Sequence, residues 1–166
     1  MTTSGIDYGS VSQMTVANLN SLANSASAGW QSDRVDNTSV KAVDYQVNLK
    51  IDLENTAAAN DKAIYVYVVP WFWDGSAFVA GADGGTTTPP SGAEGNYTIS
   101  TTHGFKMAKV IPYTASGQVV YGYFSIANLF GSMPDGWSLV IINYTGAAIA
   151  ASGNAVQFKP IKYASA

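Results

Sequence analysis

The fold class of this chain is decided by the stretch from Val43 to Glu54, which reads VDYQVNLKIDLE. Its odd-numbered positions are all apolar or aromatic, and its even-numbered positions are all polar or charged. A strand places successive side chains on opposite faces of a sheet, whereas a helix would scatter the same residues around its circumference. The stretch therefore predicts one half-buried β-strand.

Other segments rich in β-branched and aromatic residues follow at short intervals, with Gly, Pro, Asn or Asp between them. The predicted strands beyond Val43–Glu54 are residues 62–73, 77–79, 97–100, 105–111, 119–126, 137–144 and 155–163. The pattern has about eight strands and no long helical segment, which is typical of an all-β antiparallel sandwich or barrel.

Two local signals concern the edges and turns of these strands. The pair Asp74-Gly75 lies between apolar runs and predicts a tight hairpin from Trp73 into Phe78. Pro70 and Pro160 lie inside predicted strands but have no backbone N–H to donate. We expect Pro70 to mark a bulge or an edge and Pro160 to lie in an edge strand.

The chain divides into an unpatterned N-terminal part and a patterned remainder. For residues 1–39 we expect either an arm that reaches a neighbouring subunit or a segment that covers the fold. Residues 40–166 predict the β-sandwich domain, interrupted by a long Gly- and Pro-rich loop at residues 81–95.

Composition narrows the classes of partner. Charged residues are only 11% of the 166, the net charge is −3 and cysteine is absent. We expect neither nucleic acid nor a membrane as partner, because the cations are dispersed and no apolar run is long enough to span a bilayer. A neutral polar surface with few Lys and Glu residues is typical of protein interfaces, although many turns would give the same composition.

Residues with catalytic or metal-binding potential are few. His103, the one histidine, lies in a Thr-Thr-His-Gly segment without a nucleophile motif, so we interpret it as a turn residue. Asp52 and Glu54 share one face of the first strand, as a glycosidase pair would, but Lys50 shares that face and favours a solvated surface. We predict no enzyme activity, no cofactor and no metal site.

The strongest candidates for partner contact are Trp71, Trp73 and Phe78. On a strand Trp71 and Trp73 point to one side and Phe72 to the other, and one of these sides has to belong to the core. The other side, if exposed, would be an aromatic platform for a sugar or a protein. Coverage of both sides by the sandwich is the competing interpretation.

A stretch near the middle of the second half carries a family resemblance. Ser125 to Trp137 reads SIANLFGSMPDGW and resembles a signature of small tailed-bacteriophage virion proteins, S-x-A-x-L-F-G-x-M-P-x-x-W. As in that family, an apolar strand and an Asn-Thr-Gly-type turn follow, here Asn143 to Gly146, and the strand Ile64 to Pro70 is similar as well. The resemblance covers roughly residues 40–163.

The resemblance implies a jelly-roll-like β-sandwich and a decoration or cement role. On this hypothesis the protein is made in the host cytoplasm and binds the outside of a phage capsid. There it would bridge major capsid proteins as a dimer or trimer. The alternative hypothesis is a glycan-binding module of a tail fibre or spike, which would use the Trp71 and Trp73 side of its strand.

Overall fold

The computed structural model describes residues 5–54, 62–81, 90–98 and 104–164. His103 and most of the Gly81–Gly95 loop lie outside the described residues. The strands are β1 Ile6–Tyr8, β2 Ser12–Gln13, β3 Ala28–Gln31, β4 Val35–Asp36, β5 Asp44–Asp52, β6 Ala63–Trp73, β7 Phe78–Ala80, β8 Gly95–Thr98, β9 Lys106–Pro112, β10 Val119–Ser125, β11 Gly136–Tyr144 and β12 Ala155–Tyr163. A short helix, α1 Ala127–Phe130, lies between β10 and β11.

The strands form two antiparallel sheets. In the five-stranded sheet β5 lies between β10 and β12, and the two short strands β1 and β2 share the far side of β12. In the seven-stranded sheet β11 lies between β6 and β3, β8 follows β3, and β4 also pairs with β11. Strands β7 and β9 share the outer side of β6.

Eight of these strands follow jelly-roll order. Strands β2, β12, β5 and β10 are neighbours in one sheet, and β3, β11, β6 and β9 are neighbours in the other. The first of the eight thus pairs with the last, the second with the seventh, the third with the sixth and the fourth with the fifth, as in a jelly roll. The predicted antiparallel sandwich is confirmed, and the short strands β1, β4, β7 and β8 are additions to it.

Strand β5 follows the alternation predicted for Val43–Glu54, except that Val43, which precedes the strand, is 38% exposed. The side chains of Tyr45, Val47, Leu49 and Ile51 are at most 1% exposed, while their polar neighbours face outward. They belong to the main core, which fills the space between the sheets and also contains residues of β6 and β11. Each large apolar side chain buried in this way stabilises the fold by about 1.5–3 kcal/mol.

Strands of the N-terminal segment pair with strands of both sheets. Strands β1 and β2 extend along β12, and β3 pairs with β11 on one side and β8 on the other. Trp30 of β3 is fully buried, and its Nε1–H donates to Glu94 Oε1 at 2.8 Å. Residues 28–36 are therefore part of the sandwich in this structure.

Both strand prolines lie in central strands, so the edge expectation for Pro160 is wrong. β12 pairs with β5 on one side, and at Pro160 its neighbour on the other side changes from β1 to β2. Pro70 of β6 lies in the same way where the neighbour changes from β9 to β7. Each proline carbonyl accepts a hydrogen bond from a glycine N–H, that of Gly9 for Pro160 and Gly81 for Pro70. The missing donor faces an interruption in the sheet, where no ladder bond is lost.

Candidate functional site

The β6–β7 hairpin carries the residues that the sequence singles out. Asp74 Oδ1 accepts hydrogen bonds from the N–H groups of Ser76 and Ala77 at 2.8 and 2.7 Å. These bonds, the Ala77 one foremost, lower the pKa of the Asp74 carboxyl from its ordinary value. Gly75 adopts a φ of 101°, which favours glycine. The predicted Asp-Gly hairpin is confirmed.

One face of this hairpin holds four residues that we name the arginine–aromatic cluster: Arg34, Trp71, Trp73 and Phe78. Trp73 and Phe78 are cross-strand partners with ring centroids 5.0 Å apart. The Arg34 guanidinium carbon lies 4.0 Å from the Phe78 ring centroid and 5.1 Å from that of Trp71. These are cation–π distances, so Arg34 makes stabilising contacts between the β3–β4 connection and the hairpin.

The cluster is only partly accessible. Trp71 is 4% exposed, and its Nε1–H donates to Ser138 Oγ at 2.9 Å. It belongs to a second, smaller core on the outer side of the seven-stranded sheet, together with Val69 and Val140. Trp73 is 38% exposed, and Phe72, on the opposite face of the hairpin, is 64% exposed. The ring of Trp71 is therefore not available to a ligand, whereas those of Trp73 and Phe72 are.

A larger exposed surface lies on the other sheet. The outer side of the five-stranded sheet carries exposed apolar and aromatic side chains from three elements and the β1–β2 connection, each 57–72% exposed. We name this surface the tyrosine face, and it consists of Ile6, Tyr8, Val11, Tyr121, Tyr123 and Tyr163.

The register of the sheet brings these residues to one side. Tyr121 and Tyr123 of β10 face outward, since Val120 and Phe124 on either side of the pair lie in the main core and Gly122 between them is buried. Tyr8 of β1 pairs with Ile161 of β12, and paired residues of antiparallel strands point to the same side of the sheet. The register therefore places Tyr8 on the outer side as well. Tyrosines with two side-chain torsions supply contact area at low entropic cost, which suits them to binding surfaces.

A shallow groove of about 230 Å³ crosses the tyrosine face. It is lined mainly by uncharged side chains, with one lysine: Val11, Gln46, Asn48, Tyr123, Gln157, Phe158 and Lys159. Amide groups can both donate and accept hydrogen bonds, so this surface can pair with a polar partner without a matched charge.

The tyrosine face was not predicted from the sequence. In Val119 to Ser125 the tyrosines alternate with other residues, so the sequence does show two faces of a strand. Aromatic residues are equally compatible with a buried face, however, so the alternation does not show which face is exposed. Tyr8 and Val11 could not be assigned, because their segment shows no periodicity that says which strand it pairs with.

The remaining candidates stay separate from both surfaces. Asp52 is partly buried at the end of β5 and Glu54 beyond it is exposed. In residues 5–54, 62–81, 90–98 and 104–164 no three His, Cys, Asp or Glu side chains are grouped so that they could hold a metal ion. Within the same ranges no helix is long and apolar enough to cross a membrane.

Comparison with models of protein families, with curated proteins and with solved structures finds no significant match for this chain. The function has to be argued from the two exposed surfaces and from the sequence resemblance.

Proposed function

We propose that this protein is a structural virion protein that binds the outside of a phage capsid and stabilises or decorates the shell by bridging major capsid proteins. The observation that carries the proposal is the tyrosine face: six exposed apolar or aromatic side chains on one side of a sandwich whose surface has few charges. Exposed apolar and aromatic side chains gathered on one side of a folded domain favour a contact site there.

The two outer faces of the sandwich differ, and the difference favours the tyrosine face as the contact surface. On the seven-stranded sheet the outer side chains of Val69, Trp71 and Val140 are buried in the second core with Tyr97 and Phe105. On the five-stranded sheet the outward tyrosines stay exposed. A sheet covered on one side only leaves its other side for a partner.

The proposal includes a dimeric or trimeric form and a major capsid protein as partner, and excludes an enzymatic role. Repetition of a modest contact over many copies raises the overall strength of attachment without any strong single contact. The resemblance of Ser125 to Trp137 to phage virion proteins supports the same function. A glycan-binding role has less support, because the ring of Trp71, half of its predicted platform, is buried.

Binding to capsids purified without the protein tests the proposal. The double variant Tyr121→Ser/Tyr123→Ser removes two exposed rings of β10, so we expect the fold to persist and binding to weaken about tenfold or more. Co-sedimentation over a range of protein concentrations gives the affinity.

A matched control uses the opposite sheet. Met107 and Val110 are 50% and 43% exposed, and they pair with outward residues of β6. The variant Met107→Ser/Val110→Ser also removes two exposed apolar side chains, and we expect it to bind capsids as the unchanged protein does. Equal weakening in both variants, or no capsid binding at all, would contradict the proposal.

A further inference from the structure

Arg34 is the one arginine of the chain, and its guanidinium is held in place without a polar partner. Among the described residues it makes cation–π contacts with Trp71 and Phe78, but no hydrogen bond or ion pair. Its Nε atom is buried and unpaired. A buried donor that has lost water and gained no acceptor is costly, and native structures seldom keep one without a reason.

The surroundings of Arg34 are shaped to fix its position. A Cβ at Gly92 would lie 3.0 Å from the Arg34 Nη1 atom, and a Cβ at Gly136 would lie 3.4 Å from its Cδ atom. Both glycines thus allow the backbone to lie directly against the arginine side chain. The Arg34 N–H also donates to the Gly92 carbonyl at 3.0 Å. A side chain held in this way loses little further entropy when it binds a ligand.

Acids on the loops around the cluster are used elsewhere. Asp33 Oδ1 accepts the N–H of Glu94 at 2.9 Å, and the Glu94 carboxylate accepts from Asn18 and Trp30. Asp135 Oδ2 accepts the N–H of Trp73 at 2.9 Å. The carboxylates of Asp33, Glu94 and Asp135 are therefore bonded to groups other than Arg34.

We propose that Arg34 is a receptor for the carboxylate of an aspartate or glutamate side chain on a protein partner. A guanidinium whose face rests against aromatic rings keeps the in-plane N–H donors of its two Nη atoms, and these match the two oxygens of a carboxylate. On the same face of the hairpin, the exposed Trp73 and the partly exposed Phe78 supply an apolar border. Arginine and tryptophan with an apolar border are the composition of the energetic centre of a protein interface.

The nature of the partner rests on the proposed function, but the carboxylate site does not. Its test therefore uses no capsid. In a ¹⁵N-labelled sample the single Arg34 Nε–H gives one side-chain signal, and its burial protects it from exchange with water. The probes are blocked Gly-Glu-Gly and Gly-Gln-Gly peptides, N-acetylneuraminate as an acidic sugar, and sodium chloride at equal ionic strength.

We expect a saturable shift of the Arg34 signal with the glutamate peptide and none with the glutamine peptide or with chloride. Equal shifts with both peptides, or no saturable shift, would overturn the inference. Tighter binding of N-acetylneuraminate than of the glutamate peptide would overturn the protein carboxylate in favour of an acidic sugar.

Two variants separate the guanidinium fork from its charge. Arg34→Lys keeps the charge but not the two parallel donors, so we expect glutamate-peptide binding, followed at the Gly92 and Gly136 amides, to weaken about tenfold. Lys106→Gln removes an exposed cation of β9 and should leave binding unchanged. Unchanged binding by Arg34→Lys would overturn the inference, and should that variant fail to fold, the titration of the unchanged protein decides. Capsid binding without carboxylate binding would leave the proposed function standing alone.

Discussion

Single residues show how far the alternation of one strand can be trusted. Tyr45 occupies an apolar position of the Val43–Glu54 pattern and is buried as expected, with its ring 5.4 Å from that of Trp137. The partner of its hydroxyl was not predictable. The Tyr45 O–H donates to Asn37 Oδ1 at 3.2 Å, and Asn37 lies in a segment without periodicity.

Burial, and secondly the nearby Asp36 carboxylate, raise the pKa of Tyr45 from 10.0 to about 12. The folded state favours the neutral phenol, so this contribution to stability is complete below pH 10 and is lost as the pH rises towards about 12. Tyr45→Phe cannot ionise. We expect it to cost about 1 kcal/mol near neutral pH through the lost hydrogen bond and to reduce the loss of stability in this alkaline range.

Urea unfolding at a series of pH values measures both effects. Tyr121→Phe, which alters an exposed hydroxyl, is the matched control and should follow the unchanged protein throughout. An alkaline loss of stability in Tyr45→Phe as large as in Tyr121→Phe would contradict the assignment.

At the scale of elements, the positions of the strands were easier to predict than the partner strands with which they pair. The hairpin at Asp74-Gly75 and the helical turn ended by Gly131 rest on local chemistry that a sequence displays. Pro160 did not reveal a central strand, because a proline shows only that one donor is missing. Strands β1 and β2 share one side of β12, and the missing donor faces their junction. This arrangement depends on pairing between segments that are distant in the sequence.

The glycine opposite each strand proline is a requirement of this arrangement. A Cβ at Gly9 would lie 2.7 Å from Pro160 Cγ, closer than such atoms can approach. We expect Gly9→Ala to destabilise the fold by about 1–3 kcal/mol, because the proline ring and the β1 backbone have to separate. Thermal unfolding provides the measurement.

Gly5→Ala is the matched control, since a Cβ there would meet its nearest atom, Ala164 Cβ, at 3.9 Å. This variant should unfold close to the temperature of the unchanged protein. Equal stability of the two variants would show that β1 does not lie against Pro160 as described.

At the scale of the whole molecule, the fold class could be predicted from the sequence, but the outer face that stays exposed could not. Alternating strands with frequent turns suffice to predict an antiparallel sandwich, because each strand shows by its pattern which of its faces is buried. The pattern does not show which outer face of the sandwich remains exposed to solvent. Trp71 and Tyr121 are both aromatic strand residues, yet one is 4% and the other 64% exposed. Only the packing of the second core and the register of β10 separate them.

We propose that many copies of this protein attach to a capsid by a neutral, tyrosine-bearing face. Quantitative mass spectrometry of purified virions, with the major capsid protein as internal standard, is the decisive measurement. We expect a copy number comparable to that of the major capsid protein or a simple fraction of it, as a symmetric shell requires. A handful of copies per virion, as in a tail fibre, or no copies at all would contradict it.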